Sequence, residues 1–239
     1  MSQSSLQSPS LIRLFRDRLQ DVRREIRKLN KGPSAGMRTN ATAQGKPVLF
    51  IHNPRTGGRS LEKLFGAKRL SHSFPVEVLA EKHWLEHFIV TSVRHPIDRF
   101  FSGYYGNVRE PERRALEARY GPAFKSLTPK EYFEVIQQHP RHVGLQTQWT
   151  DFPCLEKPPR ADLVLRLEDV GQWVDIMRGA GVELSMQSMP HEGKTKNKPK
   201  RDLEDLGLTQ ADYDALCDRI ETIYAADYKA FGYQPGSGR

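Results

Sequence analysis

No stretch of this 239-residue chain approaches the roughly 20 consecutive apolar residues that a membrane-spanning helix needs. Cysteine is nearly absent. Only Cys154 and Cys217 occur, far apart and without metal-ligand spacing, which is ordinary for two thiols in a reducing compartment. These absences exclude a helical membrane protein, a disulfide-stapled scaffold and a collagen-like fibre. The first thirty residues also lack the apolar core and small-residue cleavage site of a secretory signal, so a cytoplasmic location is expected. Hydrophobic residues, at 37%, suffice for a sizeable core, while 28% charged residues and a mean hydropathy of -0.65 imply some solvated extension.

Positive charge is missing where a nucleic-acid-binding face would need it. The formal net charge is +8, but residues 1–46 hold ten Lys/Arg against three Asp/Glu, and residues 47–239 hold 27 against 26. The globular part is therefore near neutral, which argues against a broad nucleic-acid-binding surface. Any anion site there must be built from a few well-placed groups.

Residues 1–10 are polar and Ser-rich, the composition of a disordered start. From Leu11 to Asn30 an a/d stripe appears, formed by Ile12, Phe15, Leu19, Val22, Ile26 and Leu29 with arginines around it. Three readings stay open: a short helix that pairs two chains into a homodimer, a helix folded onto its own domain, or a basic helix on an anionic membrane. The stripe is under three heptads long, which ranks protein packing above membrane binding. Lys31 to Lys46 reads as a linker, and the domain is expected over 47–235.

Val48–Ile51 and Phe88–Val93 are continuous apolar runs, as expected of strands buried on both faces of a parallel sheet. Leu163–Leu167 reads as a third strand, with a short helix over Gln172–Arg178 after it. Helical spacing follows the first strand at Leu61, Leu64 and Phe65 and the second over Asp98–Tyr105, and a single terminal helix is expected over Asp212–Phe231. Alternating strands and helices predict an α/β fold around a mostly parallel central sheet, preceded by the N-terminal helical extension.

Between the first strand and its helix stands Asn53-Pro54-Arg55-Thr56-Gly57-Gly58-Arg59-Ser60. Two glycines allow a tight turn that aims several N–H groups at one anion. Thr56 and Ser60 add hydroxyl donors, and Arg55 and Arg59 add charge. Against the Walker A pattern, Asn53 replaces the first Gly and Arg59 replaces the Lys. The second strand ends in Arg94-His95-Pro96, with Ser102 in the next helix. Taken singly, Arg94 is a surface cation and Ser102 a helix hydroxyl.

Together these segments resemble the PAPS-dependent sulfotransferases, especially the carbohydrate-type branch. Pro54–Ser60 is similar to that family's 5'-phosphosulfate loop, and Arg94–Ser102 to its R-x-P-x-x-R-x-x-S segment on the 3'-phosphate. Leu70-Ser71-His72, Gly144–Trp149, Arg166–Val170 and the Tyr224–Tyr233 stretch resemble further pieces, so the likeness spans about residues 47–234. It implies a P-loop-containing three-layer sandwich and a sulfuryl transfer from PAPS to a hydroxyl on a glycan or other small-molecule alcohol, with no metal. It also implies site roles. Thr56, Gly57, Gly58, Arg59 and Ser60 would cradle the 5' end, and Arg94 and Ser102 would hold the 3'-phosphate. Arg55 would stand where the family usually has Lys, beside the bridging oxygen. His72 would be the general base, with Glu77 and His83 as fallbacks, and His52 is read as structural.

Arginine can neutralise charge but does not readily give up a proton. Two other readings therefore compete: a P-loop kinase using ATP and Mg²⁺, and a nucleotide-binding protein with weak or lost catalysis. Against the kinase, the second strand ends in Arg94 rather than Asp. The run Lys194–Arg201 reads as a solvated loop, with a lid over nucleotide or acceptor as the lesser alternative. Glu168 and Asp169 could orient arginine or acceptor groups, and Asp169 could equally cap the following helix.

Overall fold

The apolar runs at 48–51 and 88–93 form adjacent strands, and the rest of the sheet is built outward from them. The computed structural model describes residues 37–67, 73–109, 121–137, 144–152, 160–190 and 202–238. Among the described residues, strands β1 (Arg38–Ala43) and β2 (Lys46–Ile51) come first, followed by helices α1 (Gly58–Leu64), α2 (Pro75–Val78) and α3 (Glu81–Glu86). Strand β3 (Phe88–Val93) leads into α4 (Pro96–Tyr104), which continues as a π-helical turn at Tyr105–Arg109. A 3-10 turn (Pro122–Ser126) and helices α5 (Pro129–Gln137) and α6 (Thr147–Thr150) precede β4 (Leu163–Arg166). A second 3-10 turn (Leu167–Gln172), α7 (Trp173–Gly179), α8 (Gln210–Ile223) and α9 (Ala225–Phe231) follow.

The fold is mixed α/β. Its sheet has the order β1-β2-β3-β4, with β2, β3 and β4 parallel and β1 antiparallel at one edge. Because side chains alternate along a strand, β2 sends Val48 and Phe50 to one face and Leu49 and Ile51 to the other. The first pair packs with Leu61 and Leu64 of α1 and Trp173 and Met177 of α7. The second packs with Leu79, Trp84 and Trp149. Both faces are thus covered, which is why the strand read as an unbroken apolar run. A third core joins α4, α5, α8 and α9 through Phe100, Tyr132, Leu216 and Tyr228.

Two expectations need correction. Part of the expected linker, Arg38–Ala43, is strand β1, joined to β2 by Gln44 and Gly45 with φ of 52° and 76°. Two consecutive positive φ values mark the two-residue hairpin turn that suits strand twist. Its inward side chains Ala41 and Ala43 are too small to raise a hydropathy signal. The expected single terminal helix is two, broken at Tyr224 with φ -96° and ψ 18°. The break turns Asp227 inward, and Ile223 is left 42% exposed instead of continuing the apolar face. The heptad stripe and Lys194–Arg201 lie outside the described residues. Among the described residues, no helix is long and apolar enough to cross a membrane.

Helix α8 starts on a reciprocal cap. The Asp212 N–H donates to Thr209 Oγ1 at 3.1 Å, and the Thr209 N–H donates to Asp212 Oδ2 at 3.2 Å. Lys130 Nζ donates to Asp212 Oδ1 at 2.8 Å, and this bond, with those from Thr209, holds the carboxyl at about 2. A lowered folded-state value adds stability that is complete above the ordinary 3.8 and is lost as pH falls through about 2. Thermal melts of wild type and Asp212→Asn are therefore expected to differ most above pH 4 and to converge towards pH 2. A gap that does not change with pH would show that the carboxylate charge is idle.

Candidate active site

Strands β2 and β3 are parallel neighbours, so their C-terminal ends deliver the 53–60 loop and Arg94 to one edge of the sheet. This is the edge at which open α/β sheets bind ligands. The loop is sharply wound, with Arg55 at φ 68° and Gly57 at φ 82°. A left-handed conformation is ordinary for glycine and costly for arginine. Gly57 also has no room for a side chain, since a Cβ would lie 2.8 Å from Leu167 and 3.0 Å from Trp173. At Gly58 a Cβ would lie 2.3 Å from the His52 ring. His52 is structural, as expected: its Nδ1 lies 2.8 Å from Glu62 Oε1 on α1, and its ring stacks on Phe50.

A buried polar frame fixes this loop from behind. Arg99 is 2% exposed, and its fork donates to Pro54 O at 3.0 Å, Gly144 O at 2.6 Å and Asn53 Oδ1 at 3.1 Å. Gln146, fully buried, accepts the Arg94 N–H at 2.9 Å and donates to Arg94 O at 2.8 Å. The same Gln146 Oε1 also accepts from Asn53 Nδ2 at 3.4 Å. One side-chain oxygen thus joins the start of the loop to the end of β3. Asp227 completes the frame by accepting the N–H groups of Gln146 at 2.9 Å and Thr147 at 3.2 Å. Desolvation pushes the Asp227 carboxyl up, against the opposing pull of those N–H groups and of Arg99. Desolvation likewise draws the Arg99 guanidinium down, with Tyr224 and Asp227 pulling the other way.

The front of the loop carries Arg55. Its Nη2 donates to Asn107 Oδ1 at 3.0 Å, while Asn107 Nδ2 donates to the Tyr132 hydroxyl at 2.7 Å. Asn107 is 5% exposed, and the arginine, which can only donate, settles that the amide oxygen faces it. The guanidinium lies flat against Gly106, where a Cβ would be 2.2 Å from both Nη1 and Nη2. Both residues belong to the π-helical turn, a form that recurs at functional sites because its extra residue redirects side chains.

Not every expected donor points outward. Thr56 is fully buried, and its hydroxyl donates to Asn53 O at 2.8 Å and lies 2.7 Å from Ser92 Oγ, so it braces the loop internally. Arg59 is exposed, while Ser60, Arg94 and Ser102 are half-buried. Gly57 O accepts the Ser60 N–H at 3.0 Å. Glu168 accepts from the His95 N–H at 2.7 Å and from the Tyr233 hydroxyl at 3.0 Å, tying the end of β4 to the chain's last segment. No side chain caps the 3-10 turn after β4 or α7, so Asp169 does not play that part. Glu77 is engaged in capping α2 through the Phe74 N–H. His83 sits on α3, just before β3, and so at the opposite edge of the sheet from the loop. His72 lies outside the described residues.

Arg99, Asn107 and Tyr132 were missed by sequence reasoning. Arg99 had a signal, being the second arginine of Arg94–Ser102. The other two had none: the π-helical turn that carries Asn107 leaves no mark in hydropathy, and Tyr132 on α5 reads as an ordinary core aromatic.

A family-level comparison matches residues 59–234, well over half of the chain, to the Sulfotransferase family, starting within the loop at Arg59. The comparisons with curated proteins and with solved structures found no match. The matched span takes in Arg94, Arg99, Ser102, Gln146 and Asp227, the residues that frame the sheet edge. The chain therefore belongs to the sulfotransferase family, and its activity is sulfuryl transfer.

Proposed function

We propose that the sulfuryl donor is PAPS and that the loop at 53–60 serves as the 5'-phosphosulfate cradle of a P-loop-type, carbohydrate-branch sulfotransferase. The observation that carries this is the shared Gln146 side chain, which holds Asn53 and Arg94 side by side. The donor set fits a doubly anionic ligand. Arg55, Arg59 and Arg94 supply charge, Ser60 and Ser102 supply hydroxyls, and the first turn of α1 carries neither an acidic side chain nor a side-chain cap.

When bound, PAPS supplies an activated sulfuryl group whose in-line transfer leaves PAP. The backbone from Thr56 to Ser60 holds the 5' end, and Arg94 and Ser102 hold the 3'-phosphate. Arg55 neutralises the charge that grows on the leaving oxygen. His72 takes the proton of the acceptor hydroxyl as the oxygen–sulfur bond forms. The acceptor is a glycan or another small alcohol. The catalytic domain runs to about residue 235 and includes β1, with the basic segment before it as an appendage that pairs chains through residues 11–30. A cytoplasmic location is part of the same reading.

Calorimetric titration with PAP, and with ADP with and without Mg²⁺, tests this. Metal-independent PAP binding is expected, weakened about 10- to 100-fold in Arg94→Ala by the loss of charged hydrogen bonds. Ser102→Ala is expected to cost less in the same direction. Preference for Mg-ADP, or indifference to both substitutions, would sink the PAPS reading and promote a kinase.

A further inference from the structure

From the cluster His83, Glu86 and His87 at the far edge of the sheet, we infer a binding site for a divalent transition ion of the zinc class. One ring nitrogen from each histidine and one Glu86 carboxylate oxygen lie within 4.8 Å of one another. These are the borderline nitrogen and hard oxygen donors that zinc takes in mixed sites.

Three features separate the cluster from a chance grouping of polar side chains. First, His83 Nδ1 is buried and makes no hydrogen bond among the described residues, although the ring is only 16% exposed. A buried nitrogen without a hydrogen bond costs free energy, which a bound cation would return. Second, His83 Nδ1 is 3.4 Å from Glu86 Oε2. That is long for a charge-assisted hydrogen bond, normally about 2.7–2.9 Å. It matches the roughly 3.3 Å between neighbouring ligands of a tetrahedral ion with bonds of about 2.0 Å. Third, His87 Nδ1 lies 2.7 Å from His83 O. Donation to that carbonyl fixes the ring and leaves Nε2 with the lone pair, as ligating histidines are usually held. Glu86 is 62% exposed, so solvent can complete the coordination.

The spacing His83-x-x-Glu86-His87 also occurs in some metallopeptidases. Here α3 ends at Glu86, and His87 has the extended φ and ψ of -114° and 160°. The site also stands one strand length, about 20 Å, from the edge that holds Arg55 and Arg94. The ion is structural: it would clasp the end of α3 to His87, the residue that leads into β3, where Lys46 Nζ already donates to Leu85 O at 3.3 Å.

The test uses the full chain, without an added histidine tag, dialysed against EDTA and titrated with ZnCl₂ by calorimetry. One ion per chain is expected, and a tetrahedral ligand-field spectrum with Co²⁺. His83→Ala and His87→Ala should each weaken binding at least about 10-fold, Glu86→Gln less, and Mg²⁺ should not compete. Melting temperatures of the variants in EDTA should equal wild type, which separates lost ligation from lost fold. No saturable binding, or binding that both histidine variants retain through the chain's other histidines, overturns the inference.

Discussion

Replacing Arg99 with alanine is expected to remove about 3–5 kcal/mol of folding stability, a large share of what a single domain has. The substitution strands two buried acceptors, Pro54 O and Asn53 Oδ1, each costing about 1–3 kcal/mol when left unsatisfied, and the half-buried Gly144 O. It also strips Asp227 of the nearby positive charge that offsets its desolvation. Urea unfolding should show a lower midpoint at an unchanged slope. Arg99→Lys keeps the charge but not the planar fork, so it should recover only part of the loss.

A pH dependence distinguishes this reading from simple cavity formation. A carboxyl with a raised folded-state pKa adds stability below its unfolded value and loses it as pH climbs through the folded one. Removing Arg99 raises Asp227 further, so the deficit of the variant should grow with rising pH. Removing both charges in Arg99→Met/Asp227→Asn should cost less than the two single losses added together. Strict additivity would mean that the two groups are not coupled.

Arg55→Ala is expected to lower the rate of PAP formation from PAPS about 10²–10³-fold, the effect of removing one preorganised charge donor from a transition state. PAP affinity should fall far less, because in the proposed mechanism the arginine acts on charge that develops during transfer. Proton donation is not required of it. A phosphate monoester has its second pKa near about 6, so PAP can leave as an anion that needs neutralising, not protonating. Arg55→Lys should therefore fall between wild type and alanine, keeping charge but losing the fork onto Asn107. Asn107→Ala should cost about 10-fold in turnover with PAP affinity intact, equivalent to one hydrogen bond to a charged group. Equal losses in turnover, PAP affinity and melting temperature would reduce Asn107 to a packing role.

The parallel strands were legible because burial on both faces leaves only apolar residues, as at Phe88–Val93. The sharp turn after β2 was legible because its glycines sit between such a strand and a helix. Strand β1 was not, since Ala41 and Ala43 fill the inner face without raising hydropathy. The roles of Gln146 and Asp227 were only half legible. Their surrounding stretches resembled family motifs, but nothing local to either one reveals that it faces the other across the fold. The inward turn of the Thr56 hydroxyl was beyond reach for the same reason, because its neighbour Ser92 belongs to another strand.

The polar frame behind the loop also bears on when recognition becomes available as the chain is made. The bonds from Gln146 and Thr147 to Asp227 span 81 and 80 residues, and that from Asn53 to Gln146 spans 93. Closing loops of that length costs entropy before any contact repays it. All four strands are synthesised before Asp227 exists. Until then the turn after β2 has its glycines and arginines but lacks the acceptor that seats Gln146 behind it. A product cut short of Asp227 would carry the glycine-rich loop without the frame that fixes its shape.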